Sequence, residues 1–234
     1  PPPPPHTRPA PHPHLHTFPT RRSSDLGKTF DDIYAETLAD WNKLLSKIEV
    51  EGGDEDDKTI FYTAMYHSLI HPNIFNDVNG DFREIKTGRI SKTEGNRYTV
   101  FSLWDTYRNY HQLMALLYPD QQLNMIRSML EMYDENGWLP KWELNSTETF
   151  TMVGDPAGIV IADSYLKGIR DFNVEKAYQA MFKGADHIDD NPLRPGLSEY
   201  IDKGYLSTDY HGSVSTTQEY NTADYAIYLM AKEL

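Results

Sequence analysis

From Thr29 onward, apolar residues return every three or four positions, and Gly or Pro breaks the run at roughly helix-length intervals. This pattern restricts the fold more than any other feature: the chain reads as a series of helical hairpins. Ile33, Leu38, Trp41, Leu44, Leu45 and Ile48 predict a first helix, opened by Asp31 and Asp32 and closed by Gly52-Gly53. Asp54 to Asp57 introduce a second, which carries Ile60, Phe61, Met65 and Leu69 up to Pro72. Negative charge is favourable at a helix N-terminus, so this acidic run needs no ligand to explain it. Further helices are expected at 102–118 and 120–133, split by Pro119, then at 157–169, 174–185, 197–203 and from Ser215. Residues 74–100 read as loop and hairpin, with Asn79-Gly80 as a type I′ turn and short strands around Phe82, Ile85 and Ile90. A Trp- and Pro-containing loop covers 137–155. The expected fold is all-α, with a small β-hairpin insertion. Its helix lengths are too irregular for a tandem-repeat solenoid, and long helices alternating with loops at one end point to an α/α toroid.

Charge narrows the function. A net charge of −13 and a pI near 5.0 argue against nucleic acid or a membrane surface as partner. No apolar run reaches membrane-spanning length. Cysteine is absent, which excludes disulfides, thiolate metal sites and cysteine nucleophiles. Residues 1–26 are a different material. The Pro/His alternation cannot build a helix interior or a central strand, and neither the apolar core nor the cleavage site of a signal peptide is present. Phe18 to Leu26 resembles one reading frame of a sequencing-library adapter, so 1–26 is read as translated adapter fused to a truncated gene; a genuine proline-rich linker is the alternative.

The segment Phe101-Ser102-Leu103-Trp104-Asp105-Thr106-Tyr107-Arg108 carries the most chemistry. Ser102 is expected as a helix N-cap. Trp104, Asp105 and Arg108 then fall at i, i+1 and i+4, which puts Trp104 and Arg108 on one face with Asp105 beside it. An aromatic platform flanked by fixed polar groups suits a polyhydroxylated ring; an amphipathic tryptophan with an internal salt bridge is the alternative. Glu143, in a loop with Trp142, reads equally as a sugar contact or a buried, ion-paired carboxylate. Asp155, before Pro156, is first an N-cap. His67 and His71 have the i, i+4 spacing of metal ligands but lack the intervening Glu of a zinc-protease motif. Asn145-Ser146-Thr147 matches a glycosylation sequon, a pattern frequent by chance.

Four segments in order resemble glycoside hydrolase family 92, the calcium-dependent inverting α-mannosidases. They are 75–82 (Phe-Asn-Asp-Val-Asn-Gly-Asp-Phe), 101–108, the pair 139–144 and 152–157, and 214–220 leading to Asp224-Tyr225. The resemblance implies an N-terminal β-sandwich followed by an (α/α)6 toroid, of which residues 27–234 would supply the first part. It implies that Trp104 and Asp105 line the −1 sugar pocket, Asp105 accepting hydroxyl hydrogen bonds and Trp104 shaping the wall. Arg108, Trp142, Glu143 and Asp155 complete the candidate substrate-binding set. Many members carry two adjacent acids where this chain has Ala223-Asp224, so a catalytic role there is doubtful, and Glu219 and Asp224 are read as structural.

An inverting glycosidase needs two carboxyls roughly 6.5–9.5 Å apart. The family's acid and base lie beyond the part covered here, and Thr93-Glu94-Gly95-Asn96 precedes the Trp-Asp pair instead of following it. No catalytic residue and no metal ligand is therefore assigned, and calcium enters only as the family's implied ion. The expected partner is a mannose-containing glycan and the expected location periplasmic or secreted; the sequence sets no oligomeric state. The chain alone is expected to be inactive and to leave helix faces unburied. A non-catalytic helical carbohydrate-binding or scaffold protein, or another (α/α)6 glycosidase, are the alternatives.

Overall fold

The computed structural model describes residues 27–234, so the adapter reading of 1–26 lies outside the described residues. The first two helices, α1 (Phe30–Leu45) and α2 (Glu55–Ser68), begin as the acidic pattern requires. Thr29 and Asp32 form one capping box and Asp54 and Asp57 another, each side chain bonding the other residue's amide. The apolar stripe of α1 reaches the core only near its end, where the partly buried Leu44 packs against it. No residue of α1 is buried, and Phe30, Ile33, Tyr34 and Leu38 are exposed. His71 lies beyond the end of α2, so it does not share a helical face with His67.

Residues 73–99 form two antiparallel ladders. Strands β1 (Asn73–Ile74) and β4 (Tyr98–Thr99) close the base, and β2 (Asp81–Arg83) pairs with β3 (Ile90–Lys92) beyond it. Asn79-Gly80 is not a type I′ turn. Only Gly80 of the two is left-handed, and its amide bonds back to the Asp77 carbonyl at 2.9 Å.

The expected helix at 102–118 is two pieces, α3 (Leu103–Thr106) and α4 (Tyr110–Leu117). Helix α5 (Pro119–Asn136) follows and ends at Gly137, left-handed at φ 84°. The loop at 137–155 contains a hairpin absent from the sequence reading, β5 (Glu143–Leu144) with β6 (Thr147–Glu148). Its two-residue connection, Asn145-Ser146, has both φ values positive, as a type I′ turn requires. The sequon is therefore a tight turn.

Helix α6 (Pro156–Leu166) is the centre of the core. Nine of its residues are buried, including the unbroken run from Pro156 to Ala162, so it is apolar on every side and must be surrounded. Helices α4, α5, α7 (Val174–Asp186) and α9 (Ser213–Glu233) cover it, α9 most extensively. Both helices bury small residues, Ala157 and Ala162 on α6 and Ala223 and Ala226 on α9. The short α8 (Leu197–Lys203) packs through Leu197 and Tyr200 on Leu206 and Tyr220. The molecule is thus mostly helical, with short strand pairs in two insertions.

One polar relay crosses this core. His111 Nδ1 lies 3.0 Å from Gln122 Oε1, and Gln122 Nε2 donates to Ser164 Oγ at 3.0 Å. Gln122 Oε1 can only accept, so Nδ1 carries the proton of a neutral imidazole. Burial pushes His111 down to about 4, against a small opposing effect of the Gln122 bond. The unfolded chain therefore takes up this proton first, near pH 6.5, and stability falls as pH drops from about 6.5 to about 4. The loss from this group is on the order of 3 kcal/mol. Urea denaturation across that range is expected to show it, and His111→Gln, with nothing to titrate, to lose that part of the slope.

Candidate functional site

The segment around Trp104 does not hold itself. Helix α3 has four residues, and Ser102, at its start, is left-handed at φ 49° with no side-chain bond to a helix amide. Ser102 thus stands at the N-cap position, as expected, without capping through its side chain; its hydroxyl donates instead to Asp105 Oδ2 at 2.7 Å. Val100 is also left-handed, at φ 60°, which is a true outlier for a β-branched residue. Such a backbone persists only when its surroundings over-determine it.

Glu143 supplies much of that constraint. Its Oε2 accepts from Thr99 Oγ1 at 2.6 Å and its Oε1 from the Phe101 amide at 3.1 Å, with the Val100 amide donating as well. One carboxylate therefore holds three consecutive residues of the strained turn. Burial, at 2% exposure, raises the Glu143 carboxyl above its ordinary range, and these three donors oppose the rise. Glu143 is buried as one sequence reading expected, but it is held by hydrogen bonds and not by an ion pair. Glu148 does similar work for the loop, accepting from the amides of Lys141, Trp142 and Phe150 at 2.7 to 3.0 Å.

Trp104 and Arg108 do come together, although Arg108 lies beyond the end of α3. The guanidinium carbon sits 4.6 Å from the indole centroid and 4.8 Å from that of Tyr107. The internal salt bridge of the alternative reading is not formed: Arg108 Nη2 donates to Glu219 Oε1 on α9 at 2.8 Å. Tyr107 O–H donates to Glu219 Oε2, also at 2.8 Å. Burial, then this bond, pushes the Tyr107 phenol up to about 12. Asp105 stays exposed, with Ser102 as its hydrogen-bond donor. Trp104 is half-buried, and its Nε1 has no partner among the described residues. The site thus presents an indole covered on one face by Arg108, next to a solvent-facing carboxylate with acceptor capacity to spare.

Asp155 stands at the N-terminal cap position of α6 without capping it. Its Oδ2 accepts from Arg194 Nε at 3.2 Å, and Arg194 Nη1 donates to Asp224 Oδ1 at 2.6 Å. Tyr200 O–H donates to the other Asp224 oxygen at 2.8 Å. Arg194 is fully buried. Burial alone would lower it, but the Asp155 and Asp224 charges outweigh that and raise it. Asp155, at 2% exposure, therefore serves a buried ion-pair network that ties α6, α8 and α9 together. A Cβ at position 184 would lie 2.6 Å from Asp155 Oδ2, so Gly184 is what lets this carboxylate pass α7. Nearby, Lys141 Nζ donates to the Leu193 carbonyl at 2.8 Å, and burial brings it down to about 8.

Of the six candidates, Trp104, Asp105 and Arg108 are together on one short segment. Glu143 buttresses that segment from below, Trp142 is half-buried on the neighbouring loop, and Asp155 belongs to the Arg194 network. Sequence reasoning missed Arg194 altogether and missed Glu219 as the partner of Arg108. Arg194 is a cation set between Leu193 and Pro195 in an acidic chain, which was the one available signal. Among the described residues, no three Asp, Glu or His side chains converge to hold a metal ion.

The sequence model described as "Glycosyl hydrolase family 92 catalytic domain" matches residues 20–234, nearly the whole chain. The chain belongs to this family. Among solved structures it is similar to a family GH92 α-mannosidase of Bacteroides thetaiotaomicron, with 38% identity and a TM-score of 0.83 over 90% of this chain and 28% of that one. It is also similar to a family GH92 inverting mannosidase of B. thetaiotaomicron VPI-5482, at 26% identity and a TM-score of 0.84, covering 91% and 30%. A curated relative, an uncharacterized secreted glycosidase of Arthroderma benhamiae, is 26% identical over 220 residues, which is 88% of this chain and 24% of the relative. The chain spans 24% to 30% of the length of these relatives. No described helix is long and apolar enough to cross a membrane.

Removing one partner of a buried ion pair leaves the other charge uncompensated, at about 3–5 kcal/mol. Arg194→Met is expected to lower the unfolding free energy by about that much in chemical denaturation. Arg127→Gln, which breaks an exposed pair with Asp171, is expected to cost less than about 1 kcal/mol.

Proposed function

We propose that this chain is part of an exo-acting α-mannosidase that removes terminal α-linked mannose from glycans with inversion. Residues 27–234 then form the first part of an (α/α)6 catalytic toroid. The observation that carries the reading is the Trp104–Asp105 pair, held on a strained segment in a chain that matches the family along almost its whole length. A similar α-mannosidase has been solved in complex with mannoimidazole, which fits a mannose-shaped occupant for the related site. In this reading the indole packs on the apolar face of the sugar and Asp105 accepts hydrogen bonds from its hydroxyls. Arg108 backs the indole, and Trp142 lies on the adjoining loop. Glu143 and Asp155, both nearly inaccessible, support the site from within. Calcium belongs to the proposal as the family's implied ion. The secreted relative supports a periplasmic or extracellular location.

The test uses the longest natural polypeptide carrying this sequence. Hydrolysis of an aryl α-mannoside, followed by proton NMR, is expected to release β-mannose first. Release of α-mannose first, or no hydrolysis of any α-mannoside, would sink the reading. A hydrogen bond to a charged acceptor is worth about 1.5–3 kcal/mol, so Asp105→Ala is expected to lower kcat/KM by roughly 10- to 150-fold. Residues 27–234 alone, with no assigned acid or base, are expected to release no mannose.

A further inference from the structure

We propose that Glu219 is the positioning residue of the sugar wall: from α9 it holds Arg108 on the Trp104 indole and thereby keeps Asp105 free to meet the substrate. This rests on the α-mannoside reading above.

Asp105 and Arg108 stand three residues apart, a spacing at which an acid and a base readily pair. Left to themselves, Arg108 would occupy the Asp105 carboxylate and remove the acceptor a sugar hydroxyl needs. Glu219 prevents this. Its carboxylate is 8% exposed, and its two oxygens are divided between Arg108 and Tyr107, the two residues that follow α3. The Arg108 side chain is 46% exposed and would otherwise sample many rotamers; the ion pair and the two flanking rings select one.

Glu219 is itself fixed from a third side. Gly154 is left-handed at φ 85°, and a Cβ there would lie 2.7 Å from the Glu219 Cβ, so the loop closes directly onto this side chain. Phe150 and Met152 in the same loop are left-handed, at φ 49° and 69°. Three parts of the chain therefore meet at one carboxylate: the Trp104 segment, the 150–154 loop and α9. The strained residues at 100 and 102 lie just before this meeting point, and those at 150 and 152 lie within it.

The experiment compares wild type, Glu219→Gln and the double variant Glu219→Gln with Arg108→Met, in the longest natural polypeptide carrying the sequence. Glu219→Gln is expected to raise KM for an aryl α-mannoside by about tenfold or more with kcat little changed, because the lost interaction orients bound sugar. The double variant is expected to regain part of that loss, since no cation remains to capture Asp105; a purely structural role for Glu219 gives no such rescue. Wild-type KM in Glu219→Gln, or a double variant no better than the single one, overturns the proposal. If Glu219→Gln does not fold, Glu219→Asp, which keeps the charge but withdraws it by one methylene, is expected to raise KM in the same direction; unchanged KM overturns it. If the wild type hydrolyses no α-mannoside, the functional reading fails, and positioning is judged by NMR alone. The Arg108 δ-protons should then show an upfield indole ring-current shift that Glu219→Gln abolishes. Persistence of that shift in Glu219→Gln overturns the positioning role.

Discussion

Helix α6 is apolar around its whole circumference, and the rest of the structure follows from the need to cover it. Among the described residues α3, α4, α5, α7 and α9 pack against it, α9 most extensively. The placement of α9 has consequences at two points along it. Near its N-terminal end it brings Glu219 to Arg108 and Tyr107; one and a half turns later it brings Asp224 to Arg194. The packing that stabilises the domain is thus the same packing that assembles the polar networks around the candidate site.

Those networks share one physical device. A carboxylate with several donors can hold backbone that has no regular structure of its own. Glu143 does so for Thr99 to Phe101, and Glu148 for Lys141 to Phe150. Glu219 does so for the two residues that follow α3. In a chain of net charge −13, acids are plentiful, and the buried ones are matched to amide, hydroxyl and guanidinium donors. Exposed pairs such as Arg127–Asp171 make little difference by comparison, because water already solvates both partners.

Local signals in the sequence were good guides where a few adjacent residues decide the outcome. The acidic starts of α1 and α2 became capping boxes, Pro119 opened α5, and α8 runs over Leu197–Lys203 as its pattern requires. The approach of Arg108 to Trp104, at i, i+4 spacing, was also legible. The same local reasoning failed at turns. Asn79-Gly80 carries the sequence signature of a type I′ turn but is not one, while Asn145-Ser146, read as a sequon, has the geometry. At Asn79-Gly80 the bonds among Asp77, Asn79, Gly80 and Asp81 close a different turn, and at Asn145-Ser146 the pairing of β5 with β6 sets the geometry. Ser102 stands at the N-cap position without capping through its side chain for a related reason: the backbone at 100–102 obeys Glu143, forty residues away, before it obeys helix propensity.

By itself the sequence determined the helix-rich fold, the positions of most helices and the grouping of Trp104, Asp105 and Arg108. The order of its motifs also carried the resemblance to family 92. All of these depend on residues within a few turns of one another or on the linear order of segments. Only the tertiary structure decided that Asp155 serves Arg194 instead of a helix amide, that Glu143 is a buried buttress, and that Arg108 belongs to Glu219 and not to Asp105. Each of these is a competition among several carboxylates for a few donors. The winner is set by which carboxylate the packing of α6 and α9 brings within hydrogen-bond reach, and distance in space is not written in the spacing along the chain.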